Sequence, residues 1–261
     1  MNEIITYGQY YELNKGIKVF VQSAKKTGNV VTVIGHRINK NVIDYLIENE
    51  CNFVDARVLA KKYNISSQTA ELSPYTLKVI FAYVYLKKES KADNVYICDF
   101  TDIYFQKNVF DYIKEKPVVF EEGKTVKECP VNTEWIQICY NNTTLNYLND
   151  KLIINGGGIL GSIENCTSLL ENMCKEIPSI NAKTFNYANI DQAILNKIVY
   201  TNVDKYYVES YDKVLNMAHY KNKYPITIKD DLIIANNTVP AVIHQYDCDK
   251  NIKEFITNKF N

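Results

Sequence analysis

The chain has 261 residues, 46% of them hydrophobic and 23% charged, with 30 Lys plus Arg against 30 Asp plus Glu. That length and apolar fraction suit a single α/β domain over 1–261 with a sizeable core. The balanced charge, with basic clusters no longer than pairs such as Lys25-Lys26 and Lys61-Lys62, excludes a salt-dependent grip on nucleic acid, and no apolar run approaches the roughly 18 residues of a membrane span.

The seven cysteines have no C-x-x-C spacing. The first residues, MNEIITYGQYYELNKG, carry no basic stretch, long apolar run or small-residue cleavage site. Both point to reduced thiols and a cytoplasmic location. The bias toward Asn, Lys, Ile and Tyr fits an A+T-rich genome, such as that of a large DNA virus, a protist or a low-GC bacterium.

Glu3 to Tyr7 predicts a strand ending at Gly8. Tyr11 to Lys26 predicts a helix with Leu13, Ile17, Val19, Phe20 and Ala24 on its apolar face and Gly28 at its stop. Asn29 to Ile34 reads as a buried parallel strand, Asn41 to Glu48 as a helix and Asn52 to Val54 as a strand. Ser73 and Pro74 open a helix over Tyr75 to Lys88, serine capping and proline in the first turn. Asn94 to Cys98 is the next strand and ends on Asp99. Further strands are expected at Pro117 to Phe120, Leu152 to Ile154 and Ala241 to Ile243, and helices at Val131 to Cys139, Ile163 to Glu176 and Asp191 to Tyr200. The alternation predicts an α/β sheet flanked by helices on both faces.

Asp99 and Asp102 stand directly after an apolar strand, and ligands of open α/β sheets collect at the carboxyl ends of strands. Two carboxylates on one tight turn repel each other unless a hard cation joins them. The alternative is a solvated turn, for which Asp is a common residue. Gly156 to Gly161 also satisfies G-x-G-x-x-G, the dinucleotide fingerprint. That motif normally opens a βαβ unit with an acidic residue after the next strand, and the residues following Glu176 show no such strand.

Around these residues the chain resembles nucleotide-diphospho-sugar transferases of the GT-A fold, nearest those related to glycosyltransferase family 8. The segment Val95 to Gln106 (VYICDFTDIYFQ) is similar to their metal-binding DxD-type motif. Asn155 to Ser162 (NGGGILGS) is similar to an acceptor-side loop, Asp191 to Asn196 (DQAILN) to a helix start, and His244 to Asp247 (HQYD) to a C-terminal motif, all in the family's order.

The resemblance implies a Rossmann-like mixed sheet with a nucleotide-binding half (about 1–105) and an acceptor half (about 106–261). It implies transfer of a sugar from a UDP-sugar to a glycan or protein acceptor, with retention of configuration. Asp99, Asp102 and His244 would hold Mn2+ or Mg2+. Lys78 would reach toward the diphosphate, and Thr6, Tyr7 and Gly8 would meet the base and ribose, with Phe100 and Thr101 bordering the ribose. Asp191 and Gln192 would face the donor sugar as the catalytic pair, with Asn155 and Gly156 nearby. The family more often places one residue between its two acids, which leaves open whether Asp99 ligates the metal directly or orients the sugar or Lys78. His36 and His219 match no motif and read as structural. A HAD-type phosphatase also uses two aspartates after a strand, but closer together and near the domain start. A nucleotide-sugar-binding protein without turnover is the other alternative.

Overall fold

A computed structural model describes residues 1–9, 11–66, 72–180 and 190–260. The first half runs β1 (Asn2–Gln9), α1 (Lys15–Lys26), β2 (Val30–His36), α2 (Lys40–Glu48), β3 (Asn52–Asp55), α3 (Ala56–Lys62), α4 (Pro74–Lys88), β4 (Asn94–Cys98) and β5 (Ile103–Phe105). Then come β6 (Val118–Thr125), α5 (Pro130–Cys139), α6 (Asn142–Leu148), β7 (Leu152–Ser162), α7 (Ile163–Glu176) and α8 (Ile190–Thr201). The chain closes with β8 (Tyr207–Glu209), β9 (Val214–Asn216), α9 (Met217–Tyr220), β10 (Ile226–Lys229), β11 (Leu232–Ala235), β12 (Val242–His244) and α10 (Lys250–Asn258).

The central sheet has seven strands in the order β3-β2-β1-β4-β7-β6-β8. β1 pairs in parallel with both β2 and β4, while β7 runs antiparallel to β4 and β6. The result is a mixed, Rossmann-like α/β fold. Side chains alternate across it. Ile5, Ile97 and Val119 enter one apolar cluster with residues of α4, α7 and α8. Ile4, Tyr96 and Phe120 enter another with residues of α1 and α2. Burial on both faces is why these strands read as continuous apolar runs.

α4 begins as its sequence predicts, with Ser73 Oγ accepting from Thr76 N at 3.3 Å. α1 starts later than expected, at Lys15, because Asn14 caps it and accepts from Ile17 N at 3.0 Å. The helices α3, α6 and α10 and the β10–β11 hairpin were not anticipated. The larger correction is at Asn155 to Gly158. These residues are not a loop; with Ile159 to Gly161, which read as strand, they lie inside β7, between β4 and β6 in the sheet, so the G-x-G-x-x-G match is no dinucleotide fingerprint. The stretch expected to lack a strand lies partly in 181–189, outside the described residues.

A second sheet, β5-β12-β9, stands beside the carboxyl end of β4. Among the described residues no helix is long and apolar enough to cross a membrane.

Candidate functional site

The strand order turns at β1: β2 and β3 lie on one side of it and β4 on the other. Such a reversal opens a crevice at the carboxyl ends of the two central strands. Asp99 follows β4 at that end, and β5 begins one residue after Asp102. β12 pairs antiparallel with β5, placing His244 opposite Ile103, and the parallel neighbour β9 places Asn216 opposite His244. Two short ladders thus carry an imidazole from the end of the chain to the two acids.

The ligand-capable atoms of Asp99, Asp102 and His244 all lie within 4.8 Å of one another. His244 Nε2 is 3.2 Å from Asp99 Oδ2 and 3.6 Å from Asp102 Oδ2. Neighbouring ligands of an octahedral ion with bonds near 2.1 Å stand about 3 Å apart, so these spacings fit a small divalent cation. The tautomer fits too. Asn216 Nδ2 donates to the Glu121 carbonyl at 3.0 Å, which leaves its amide oxygen facing His244 Nδ1 at 2.8 Å. Nδ1 therefore carries the proton and Nε2 the lone pair. That Nε2 is buried and has no hydrogen-bond partner among the described residues. Orphaned buried polar atoms are rare, and a cation would satisfy this one. Two carboxylates and one imidazole suit Mg2+ or Mn2+.

Lys78 arrives from α4. Its Nζ donates to Asp99 Oδ1 at 2.6 Å and to the Gly156 carbonyl at 2.9 Å, and lies 3.6 Å from Asp191 Oδ2. Burial opposes its charge, but Asp99 and Asp191 overcome this and hold the ammonium above the ordinary lysine value. Burial likewise works against Asp99, yet Lys78 and His244 win, and its carboxyl sits well below the usual aspartate range. Asp102 has no lysine; burial raises its carboxyl, with His244 opposing and Asp99 adding. Asp191 is raised by burial against the pull of Lys78. Burial lowers His244, but Asp102 and Asp99 reverse this and raise it. A proton and a cation thus compete for the same nitrogen.

Two cavities meet at these residues. One, of about 210 Å³, is lined by Tyr7, Tyr11 and Phe100 among others. The other, of about 300 Å³, is lined by Glu122, Trp135, Asn155, Gly156, Asp191, Gln192 and His219 among others. Tyr75, Lys78, Asp99 and Asp102 border both. A buried polar web stiffens the wall of the second. Gln192 Oε1 accepts from Gly156 N at 2.8 Å, and Gln192 Nε2 donates to Asn132 Oδ1 at 2.8 Å and Glu122 Oε1 at 3.2 Å. Asn155 Nδ2 donates to the same glutamate oxygen at 2.6 Å.

The chain matches no protein-family model and no curated protein.

Asp99, Asp102, His244, Lys78, Asn155, Gly156, Asp191 and Gln192 therefore come together around one cavity, and Tyr7, Phe100 and Thr101 around the other. Thr6 and Gly8 do not line either. Thr6 is buried within β1, and Gly8 lies under the rings of Phe100 and Tyr11. Phe100 is mainly a core residue, edge-on to Phe20 and Tyr11. Asp191 is the second residue of α8, and its Oδ1 is buried without a hydrogen-bond partner among the described residues.

Sequence reasoning missed Glu122, Asn132 and Trp135, and set His219 aside as structural although it lines the cavity. Glu121 and Glu122 follow the apolar run Val118 to Phe120, the signal that identified Asp99, so Glu122 was findable. His219 sits on the four-residue helix α9, too short to show a period.

Proposed function

We propose that this chain is a metal-dependent glycosyltransferase of the GT-A type that moves a sugar from a UDP-sugar to the hydroxyl of a glycan or protein acceptor. The observation that carries this is the Asp99–Asp102–His244 group at the sheet's switch point, with an aromatic cavity on one side and a polar cavity on the other. Asp99, Asp102 and His244 would hold Mn2+ or Mg2+. When bound, such a cation offsets the charge developing on the leaving diphosphate. Tyr7 and Tyr11 supply rings suited to the base and ribose, with Phe100 packed edge-on to Tyr11 at the border of the cavity. Lys78 adds a fixed positive charge beside Asp99, where a diphosphate would lie.

The polar cavity takes the donor sugar. Asp191 lines that cavity, and its carboxylate would accept from sugar hydroxyls or stabilise positive charge at the anomeric carbon. Gln192, Asn155 and the β7 backbone at Gly156, hydrogen-bonded among themselves and to Glu122, shape the polar wall beside that sugar.

The test is hydrolysis of a panel of UDP-sugars by water, in Mn2+ and in chelator, with the parent and Asp191→Asn. The expected result is hydrolysis that needs the cation and is mostly lost in Asp191→Asn, with UDP affinity kept. A parent that neither binds UDP in a metal-dependent way nor turns over any donor would overturn the reading.

A further inference from the structure

The side-chain amides lining the polar cavity are those of Asn132, Asn155, Gln192 and Gln245. The first three are engaged at both ends. Asn155 Oδ1 accepts from Gly157 N at 2.7 Å, and its Nδ2 donates to Glu122. Gln192 Oε1 accepts from Gly156 N, and its Nε2 donates to Asn132 and Glu122. Asn132 Oδ1 accepts from Gln192, and its Nδ2 donates to the Cys129 sulfur at 3.3 Å. Gln245 differs. Its Oε1 is buried and has no hydrogen-bond partner among the described residues.

The backbone of Gln245 is costly as well. Its φ of 56° and ψ of 38° lie in the left-handed region, which residues with a β-carbon rarely enter. The consequence is directional. Consecutive side chains of a strand point to opposite faces, and in β12 Val242 and Ile243 enter different apolar clusters. By that alternation Gln245 would point with Ile243, away from His244. The left-handed turn breaks the alternation, and Gln245 lines the same cavity as His244. The Gln245 carbonyl closes the turn by accepting from Cys248 N at 3.0 Å. A glycine here would remove both the backbone strain and the unpartnered amide, so stability is not what this side chain supplies.

Position selects its ligand. Gln245 directly follows His244, so its amide belongs beside the proposed cation and the diphosphate that cation would hold. Retention, which the resemblance implies, requires the acceptor oxygen to bond on the face from which the diphosphate leaves. A carboxamide offers an accepting oxygen and two donor hydrogens, the complement of neighbouring hydroxyls on a sugar. We infer that Gln245 binds the acceptor, a saccharide held by two adjacent hydroxyls on the diphosphate side of the donor sugar; this rests on the glycosyltransferase reading of the same site. Gln245 is a positioning residue in this account. With no partner on its oxygen, the amide turns about its last torsion, broad in glutamine, to meet the acceptor.

The experiment uses the full chain with Mn2+ and the UDP-sugar that the parent hydrolyses fastest, with and without a panel of methyl hexosides as acceptors, and compares the parent with Gln245→Gly. The parent is expected to transfer to at least one hexoside. Gln245→Gly is expected to melt no more than about 2 °C below the parent. With that hexoside below saturation, its ratio of transfer to hydrolysis should fall about tenfold, the loss of roughly one hydrogen bond. A parental ratio in the variant overturns the inference. So does an equal fall in hydrolysis and transfer, which assigns the amide to the donor sugar, and so does a larger fall in melting temperature, which assigns it to the fold. A parent that hydrolyses the donor but transfers to none of the hexosides overturns it too. A parent without metal-dependent UDP binding overturns the glycosyltransferase reading itself, an outcome the binding measurement reveals before any acceptor is added.

Discussion

Replacing Lys78 by methionine tests the electrostatics of the site. The side chain is buried between Asp99 and Asp191, at 2.6 Å and 3.6 Å. Methionine keeps much of its volume but leaves two buried carboxylates without their ammonium. Removing one partner of a buried ion pair costs about 3–5 kcal/mol. Asp191, already raised by burial, relieves part of this by taking up a proton, so the lower end is expected. Unfolding entropy near 2.1 cal/mol/K per residue implies about 0.55 kcal/mol/K for 261 residues, or a fall of about 5–9 °C in melting temperature. The assay is calorimetric melting in chelator at neutral pH, repeated with Mn2+. A cation beside Asp99 replaces part of the missing positive charge, so Mn2+ should stabilise Lys78→Met by more than it stabilises the parent. A variant melting within about 2 °C of the parent in chelator would refute the reasoning, since that is close to 1 kcal/mol on the same scale.

Three further outcomes follow from the geometry. Asn216→Ala removes the acceptor that orients His244 Nδ1, so Mn2+ affinity by calorimetric titration should fall about 10–100-fold; unchanged affinity would mean the ring is held by its packing alone. Gly157→Ala would put a Cβ 2.5 Å from Asp99 Oδ2, 2.8 Å from Asn155 Oδ1 and against the His244 ring, so Mn2+ binding should be lost while the far-UV spectrum is kept, and an alanine variant that binds Mn2+ like the parent contradicts this. His244 is raised in the folded, metal-free chain. Its contribution to stability is therefore complete below the ordinary histidine value near 6.5 and is lost as pH rises through the folded value. In chelator, His244→Gln should flatten that decline of melting temperature with pH, and an identical slope in the variant would assign the titration to another group.

The fold class was legible because β1, β2 and β4 are buried on both faces and read as apolar runs between punctuated helices. Asp99 and Asp102 were legible for the same reason, being the first charges after such a run. The two ends of β7 were legible, but its middle was not, because Asn155 to Gly158 has the composition of a turn and becomes strand only within the sheet between β4 and β6. Glycine weakens a strand's intrinsic preference, and tertiary pairing overrides it here. His244 reached the site through two three-residue ladders, β5–β12 and β12–β9, too short to show any period. Only the resemblance of the HQYD segment pointed to it. The Glu122–His219 contact joins residues 97 positions apart by number, on a strand end and a single helical turn, and no local pattern encodes it.

The central claim is that Asp99, Asp102 and His244 form one divalent-cation site. It is tested most directly by calorimetric titration of Mn2+ into the parent and into Asp102→Asn, which keeps the side chain's shape and removes its charge. The account predicts one saturable ion per parent chain and no saturable binding in the variant at the same concentrations. Equal stoichiometry and affinity in the two proteins would contradict it.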